Sequence, residues 1–153
     1  MEIERHLQQL GIELRESVAP IANYVPVQRA GDLLFLSGAG PVSGGKTTMT
    51  GRLGEDLTVE QGYAAAREGA FHLLCALKSY LGDLDRVEQI VKLQGYVACT
   101  PDFADQPKVI NGASDFFVEV FGERGRHARA AVGVAALPLH TPVEVEIVVR
   151  IRP

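Results

Sequence analysis

Two β-rich runs at the end of the chain limit the possible fold more than any other feature. Residues 143–152 alternate strictly: Val143, Val145, Ile147, Val149 and Ile151 share one face, and Glu144, Glu146, Val148, Arg150 and Arg152 share the other. Alternation of this kind is typical of a strand with one buried face. A second β-rich run, Arg126–Ala136, precedes it across the short segment 137–142, so we expect the two strands to be neighbours in one sheet.

The same alternation divides the run Arg126–Ala136 into two faces. Val132 and Val134 fall on one face, and Arg129, Ala131, Gly133 and Ala135 fall on the other. We predict that the valines point to the helices and that Arg129 and its small neighbours point away from them. Soluble monomers seldom leave a large sheet face uncovered. We therefore expect self-association, with Arg129 and Glu144 at or near a subunit boundary.

The rest of the chain mixes helical and β patterns. Apolar residues recur at helical spacing over residues 59–81, after a capping box at 58–61, and over residues 109–120. A short helix is predicted over Met1–Leu10, and strands over Tyr24–Arg29, Leu33–Ser37 and Glu88–Cys99. Pro26 lacks an amide donor, so the first strand should lie at a sheet edge or beside irregular pairing. We expect an α+β fold in which two main helices pack on one face of a mixed sheet, with a short N-terminal helix.

Length and charge narrow the possible partners. A chain of 153 residues has the usual size of one domain, so we expect a single domain over residues 1–153, with residues 1–11 as an N-terminal helical extension. The net charge of −4 makes nucleic acid an unfavourable partner. No apolar stretch approaches the ~20 residues that span a bilayer. A cytoplasmic protein that binds neither nucleic acid nor membrane is the expectation.

Three features of the sequence could indicate a phosphate or metal site, but the residues around them argue against it. Residues 40–47, GPVSGGKT, match the phosphate-loop pattern GxxxxGK[ST], but no helical period follows them, so we interpret 38–54 as a long flexible Gly-rich loop. Cys75 and Cys99 lack metal-ligand spacing and are predicted to be buried thiols. The histidines are likewise unpaired, which argues against a metal site; His127 is the one that precedes the Arg129 strand and lies closest to a possible cleft.

Arg129 and Glu144 allow two interpretations. They are either a cross-strand ion pair that fixes the strand register or the two polar groups of a binding site. In the second case the planar guanidinium of Arg129 binds a substrate carboxylate at two points, and Glu144 transfers a proton. The pattern of residues alone leaves both open.

The residue order resembles that of a known family over Asn23 to Arg150. The strongest match is the segment 128–138, ARAAVGVAALP, followed by 143–146, VEVE; the supporting matches are Asn23-Tyr24, 36–38, 109–111 and Phe116-Phe117. This pattern resembles the RidA or YjgF family of reactive intermediate (imine) deaminases, whose members are often described as translation-inhibiting endoribonucleases.

The resemblance implies a chorismate-mutase-like α+β domain that forms a homotrimer with clefts between subunits. It assigns carboxylate binding to Arg129 and the acidic role to Glu144, and it adds Tyr24, Gly38, Asn111 and Ala131 to the substrate-binding residues. Position 131 is often Cys in RidA-like deaminases, whereas this chain has Ala131. The contact that the resemblance implies at this position, to substrate or water, is therefore one made by the backbone.

The implied reaction is hydrolysis of a 2-imino acid, or of its 2-aminoacrylate-type tautomer, to a 2-keto acid and ammonia without a cofactor. A trimer that binds a small carboxylate or keto acid without turnover is the alternative. An endoribonuclease is a third interpretation, for which the sequence offers neither a basic patch nor a histidine pair.

Overall fold

The computed structural model describes residues 1–17, 20 and 22–153. Its helices and strands are, in chain order, α1 (Glu2–Gln9), β1 (Val27–Ala30), β2 (Leu33–Leu36), β3 (Val42–Ser43), β4 (Lys46–Thr47), α2 (Val59–Leu81), β5 (Val87–Ala98), α3 (Gln106–Phe121), β6 (Ala128–Val134) and β7 (Val143–Ile151). Short 3-10 turns lie at Leu84–Arg86, Gly122–Gly125 and Pro138–His140. The α+β prediction is confirmed, including the short helix at the N-terminus.

Five strands form a mixed sheet in the order β1-β2-β7-β5-β6. The first two predicted strands are present and pair with each other as a hairpin, β1 and β2, and β1 is an edge strand, as Pro26 indicated. The prediction that the last two strands are neighbours is wrong, because β5 lies between them. It pairs in parallel with β6 and antiparallel with β7. The crossover through α3 returns the chain beside β5, and this leaves the opposite edge of β5 for β7.

The two long helices cover one face of the sheet. α2 begins with the predicted capping box, in which the amide of Gln61 donates to Thr58 Oγ1 at 3.2 Å and the amide of Thr58 donates to Gln61 Oε1 at 2.9 Å. α2 and α3 lie so close together that a Cβ at Gly112 would stand 2.0 Å from the carbonyl oxygen of Tyr63. The alternate valines and isoleucines of β7 are buried beneath these helices, as predicted.

The faces of β6 are the reverse of those predicted. Arg129 reaches side-chain and backbone acceptors on α3, and Ala131 packs against the buried core. Val132 points to the opposite face and is 43% exposed. The parallel register with β5 explains the result, since Arg129 lies beside buried Leu93 and shares its face. Valine bulk misled the prediction because β6 is an edge strand whose outer face no helix covers.

The prediction for β5 needs one correction. Alternation along the predicted strand Glu88–Cys99 puts Val91 on one face with Leu93, Val97 and Cys99, but Val91 is 37% exposed and Ile90 is buried in its place. The pairing of β5 with β7 shifts register between Ile90 and Lys92. An irregularity of this kind changes which residues face the core on either side of it.

The Gly-rich segment after β2 contains regular structure that was not predicted. Residues of the phosphate-loop pattern form the hairpin β3–β4, whose turn is Gly44-Gly45 with φ of 60° and 76°. Buried Leu53 then bridges to Cys99, so this segment packs on the core. The next helix begins only at Val59, which agrees with the argument against a phosphate loop.

Cys75 and Cys99 are buried thiols, as predicted. Burial raises the pKa of the Cys75 thiol. Of the helices described, none is both long and apolar enough to cross a membrane.

Candidate functional site

Arg129 is held at the edge of the sheet by three hydrogen bonds to α3. Its Nη1 donates to Asn111 Oδ1 at 2.8 Å and to Ser114 Oγ at 3.1 Å, and its Nη2 donates to the carbonyl oxygen of Pro107 at 3.2 Å. Asn111 and Ser114 are three residues apart, so they project from the same side of the helix. The structure thus brings together two residues that the sequence assigned to a site, Arg129 and Asn111.

These contacts leave one edge of the Arg129 guanidinium available. A guanidinium carries five N–H donors. Nη1 uses both of its hydrogens and Nη2 uses one, which leaves the hydrogen on Nε and one on Nη2 without an acceptor among residues 1–17, 20 and 22–153. Nε and Nη2 share an edge of the planar group. A carboxylate can accept from both nitrogens of such an edge at once.

His127 extends the same group of hydrogen bonds. Its Nδ1 lies 2.6 Å from the carbonyl oxygen of Gly125, and its Nε2 lies 2.8 Å from Ser114 Oγ. Burial lowers the pKa of His127, the carbonyl of Gly125 opposes that shift, and the nearby positive charge of Arg129 adds to it. The sequence had singled out His127 as the histidine nearest a possible cleft. Ser114 was missed, although its spacing from Asn111 was a usable signal.

Ala131 follows Arg129 on the same inward face of β6. It is half-buried, and its small side chain packs against the core. Further along this face, a Cβ at Gly133 would lie 2.7 Å from Cys99 Sγ and 2.9 Å from Gln106 Nε2. At position 133 a side chain larger than that of glycine would therefore collide with Cys99 and Gln106 unless they moved.

Glu144 belongs to a second group of residues on the opposite face of the sheet. It lies on β7 beside Tyr96 of β5. Gly38 packs so closely against it that a Cβ at position 38 would stand 2.8 Å from Glu144 Cδ. Burial raises the pKa of the Glu144 carboxyl, and the negative charge of Glu146 raises it further. Glu144 therefore gains a proton at higher pH than an ordinary glutamate.

Tyr96 connects Glu146 to the residues around Glu144. Its hydroxyl donates to Glu146 Oε1 at 2.9 Å, and this hydrogen bond is the largest cause of its raised pKa. Burial and the charges of Glu146 and Glu144 add to the effect. The result is a compact acidic cluster, formed by Glu144, Glu146 and Tyr96, on the face that no helix covers.

Tyr24 lies on the chain segment that runs beside Gly38. Ser37 ties this segment in place, since its hydroxyl donates to the carbonyl of Val25 at 2.6 Å and its amide donates to the carbonyl of Pro26 at 2.9 Å. The Tyr24 side chain is 55% exposed. Of the predicted residues, Gly38 therefore packs against Glu144, and Tyr24 belongs to the segment that is hydrogen-bonded beside Gly38.

The predicted residues thus fall into two half-sites. The arginine half-site contains Arg129, Asn111, Ser114 and Ala131, and the glutamate half-site contains Glu144, Gly38 and Tyr24. Because the sheet separates Arg129 from Glu144, the ion-pair interpretation is wrong. The prediction that both residues share one sheet face is wrong for the same reason.

One group of acidic residues has metal-ligand spacing within the part of the chain that the structure describes, and it is distant in sequence from both half-sites. It consists of Glu4, Asp83 and Asp85. Asp85 accepts the amides of Glu2 and Ile3 at 2.7 and 2.8 Å, which caps α1. Glu4 accepts from Lys78 Nζ at 3.0 Å. These contacts explain why the acidic residues lie together, since they attach α1 to the rest of the chain.

Comparison with known proteins gives one consistent result. The family profile described as YjgF/chorismate_mutase-like, putative endoribonuclease, matches residues 4–150. Protein TCP17 of Trypanosoma cruzi is 47% identical over 151 residues, which cover 98% of this chain and 94% of that protein.

Solved structures agree with this match. The chain is 45% identical to Atu1372 from Agrobacterium tumefaciens, described as of unknown function, with a TM-score of 0.89 over 98% of this chain and 92% of that one. It is 36% identical to a putative endoribonuclease from Shewanella oneidensis, with a TM-score of 0.92 over 97% and 99% of the two chains. A more distant relative is RidA from an Antarctic Psychrobacter species, at 25% identity and a TM-score of 0.58 over 90% and 98%.

Proposed function

Since the chain belongs to the YjgF (RidA) family with its chorismate-mutase-like fold, we propose that it hydrolyses 2-imino acids, or their 2-aminoacrylate-type enamine tautomers, to 2-keto acids and ammonia. The observation that best supports this proposal is the hydrogen bonding of Arg129. Three hydrogen bonds hold its guanidinium against α3, while the Nε and Nη2 edge keeps a donor on each nitrogen. A small 2-imino acid offers the carboxylate that this edge fits.

In the proposed reaction, Arg129 orients the substrate by its carboxylate. A water molecule adds its oxygen to the imine carbon and gives one proton to the nitrogen. As the C–N bond of the resulting carbinolamine breaks, its hydroxyl proton is transferred to the nitrogen, so that ammonia leaves and the C–O bond becomes the carbonyl of the 2-keto acid. No oxidant or cofactor is required. Holding both reactants in place lowers the entropic part of the barrier.

Glu144 is the residue proposed to position the water and carry protons between it and the nitrogen. Burial and the charge of Glu146 raise the pKa of Glu144, which brings its proton exchange closer to neutral pH than that of an exposed glutamate. Tyr24, Gly38, Asn111 and Ala131 are proposed to line the substrate. Ala131 would contribute through its backbone, because its methyl group offers no thiol.

A homotrimer with clefts between subunits completes the proposal. Arg129 and Glu144 lie on opposite faces of the sheet, so a single chain does not offer both to one small molecule. The uncovered face also exposes Phe35 to 46% and Val132 to 43%, and it contains a shallow cavity of about 190 Å³ lined in part by Phe35 and Glu146. Apolar surface of this kind is usually covered by another chain.

A carboxylate-binding trimer without turnover is the second candidate. Ala131 favours it, because the cysteine common at this position in RidA-like deaminases is missing here. The ribonuclease named in the family description is a weaker candidate, since the net charge of −4 does not favour a phosphate backbone.

An imine-decay assay tests the proposal directly. An amino acid oxidase generates the 2-imino acid, and its decay is followed with wild-type protein, with Arg129→Ala, with Glu144→Gln and without protein. Faster decay with wild type than with either variant supports the deaminase. If Arg129→Ala accelerates decay as much as wild type does, the assignment of Arg129 to the site is wrong. If wild type does not accelerate decay but binds 2-oxobutanoate through Arg129, the binding protein is the better conclusion. An RNA substrate in the same buffers tests the third candidate.

A further inference from the structure

The hydrogen bonds of Arg129 do not end at α3. Ser114 Oγ, which accepts from Arg129 Nη1 at 3.1 Å, is also 2.8 Å from His127 Nε2. His127 Nδ1 is in turn 2.6 Å from the carbonyl oxygen of Gly125. Four groups are therefore connected in one line of hydrogen bonds: Arg129 on β6, Ser114 on α3, His127 just before β6, and Gly125 in the 122–125 turn.

The proton positions in this line follow from the chemistry of its ends. The Gly125 carbonyl only accepts, so His127 Nδ1 carries the hydrogen between them. In a neutral imidazole the other nitrogen, Nε2, then accepts, and its neighbouring donor is the Ser114 hydroxyl. With its hydrogen directed to His127, Ser114 Oγ presents its lone pairs to Arg129 Nη1. Each donor in the line meets an acceptor.

We propose that Ser114 and His127 are positioning residues that fix the orientation of the Arg129 guanidinium for two-point carboxylate binding. This inference rests on the proposed function of Arg129. Asn111 and Ser114 together occupy both hydrogens of Nη1, which sets the plane of the guanidinium and leaves a carboxylate to accept from Nε and Nη2. Neither Ser114 nor His127 is proposed to touch the substrate.

His127 has a distinct task in this arrangement. A serine hydroxyl rotates freely about its Cβ–Oγ bond unless an acceptor holds its proton. A proton directed at Arg129 would repel the guanidinium instead of accepting from it. By accepting the Ser114 proton, His127 keeps the lone pairs of Oγ on the Arg129 side. Gly125 fixes His127 itself, and it is buried so tightly that a Cβ there would lie 2.1 Å from the carbonyl oxygen of Phe117.

The test compares binding and turnover in a small set of variants. Binding of 2-oxobutanoate is measured by calorimetry, and KM and kcat by the imine-decay assay, for Ser114→Ala, His127→Phe and the double variant. We expect each single change to raise Kd and KM by about tenfold while kcat changes less, since about 1.4 kcal/mol of orienting energy corresponds to that factor. The double variant should lose no more than either single variant, because both interrupt the same line. Ser114→Thr keeps a hydroxyl and should restore the wild-type values.

The controls separate this inference from the proposed function. Ser43→Ala, at the exposed end of β3, should behave as wild type. Arg129→Ala gives the reference loss of 2-oxobutanoate binding. If it loses binding while Ser114→Ala and His127→Phe bind as wild type does, the inference is overturned and the proposed function stands. If Arg129→Ala binds normally, both are overturned. Melting temperature and light scattering identify misfolded variants, and His127→Gln replaces any histidine variant that does not fold.

Discussion

The side chains of Arg129 and Glu144 lie on opposite faces of one sheet. Arg129 turns inward from edge strand β6 to contact α3, whereas Glu144 lies on the face of β7 that the helices leave uncovered. Two groups separated in this way act on one small molecule only if different chains supply them. The proposed trimer therefore makes a specific prediction about mixtures of inactive variants.

Subunits carrying Arg129→Ala should complement subunits carrying Glu144→Gln. A cleft that combines Arg129 of one chain with Glu144 of its neighbour is intact whenever each chain brings its unchanged residue. Each mixed trimer has one interface of the productive order among its three, so the oligomers purified through both tags should recover about a third of the wild-type rate. Chains with two different tags are coexpressed, the mixed oligomers are purified through both tags, and imine decay is measured.

Each variant alone, treated in the same way, sets the background of this experiment. Mixed oligomers that stay at that background would show that one chain supplies both residues, or that the two residues do not share a cleft. Light scattering on wild type accompanies the test. A mass of 16.5 kDa at micromolar concentration would contradict self-association altogether.

Arg129→Lys should remove most carboxylate binding although the charge is kept. An ammonium group has no planar edge, and it cannot make the bonds to Asn111, Ser114 and Pro107 in the same geometry. We expect 2-oxobutanoate to bind on the order of tenfold to a hundredfold more weakly, with unchanged oligomeric state. Arg29→Lys, an exposed arginine on β1, is the matched control. Global unfolding of Arg129→Lys would indicate a structural role instead.

The sequence predicted the faces of β7 correctly and those of β6 incorrectly, and the difference is physical. On β7 every residue of one face is apolar, so only one choice buries the apolar set. On β6 both faces are mostly small or apolar, and side-chain bulk pointed the wrong way. Alternation divides a strand into two faces but does not say which is inside. The polar groups of α3 that receive Arg129 decide this, and they are distant in sequence.

Strand neighbours were harder to predict than strands. The segment 137–142 is short, so adjacency of β6 and β7 was the natural expectation, but β5 pairs with both strands. Pairing across a helical crossover depends on contacts remote in sequence. For the site, the resemblance named Arg129 and Asn111, which the structure brings into contact. It did not name Ser114, whose one signal in the sequence was its three-residue spacing from Asn111 on the same side of α3.

Glu146→Gln should move the acid limb of the pH–rate profile to lower pH. The charge of Glu146 is the second cause of the raised pKa of Glu144, after burial. Removing that charge lowers the pKa of Glu144, so its ionised form persists at lower pH; burial remains and keeps the pKa above the ordinary value. The substituted amide can still accept from Tyr96 through its oxygen. The measurement is kcat/KM against pH, with exposed Glu60→Gln as control. An unchanged profile would argue against Glu144 as the titrating group.

Gly112→Ala should destabilise the chain by pushing α2 and α3 apart. Its added Cβ would meet the carbonyl oxygen of Tyr63 at 2.0 Å, and this backbone atom cannot rotate away. We expect a loss of about 1–3 kcal/mol in the free energy of unfolding, measured by urea denaturation. Gly62→Ala is the matched helical control, since its Cβ would meet only side-chain methyl groups at 3.0 Å. A loss as large at Gly62 would show that helix glycines in general tolerate no Cβ here.

Stability should fall as the pH is lowered from 7 to 5, and His127 should account for part of the fall. Burial and the charge of Arg129 lower its pKa in the folded chain, below the value near 6.5 expected when unfolded. The stabilisation that its neutral form provides is therefore fully present above the unfolded pKa and is lost as pH falls through the folded one. Melting temperature against pH should decline less steeply in His127→Gln than in wild type. Burial also lowers the pKa of His72, which is present in both proteins. The slope measured for His72→Gln gives the contribution of His72 to the loss of stability. Equal slopes in wild type and His127→Gln would mean that the pKa of His127 is the same in the folded and the unfolded chain, which would contradict this prediction.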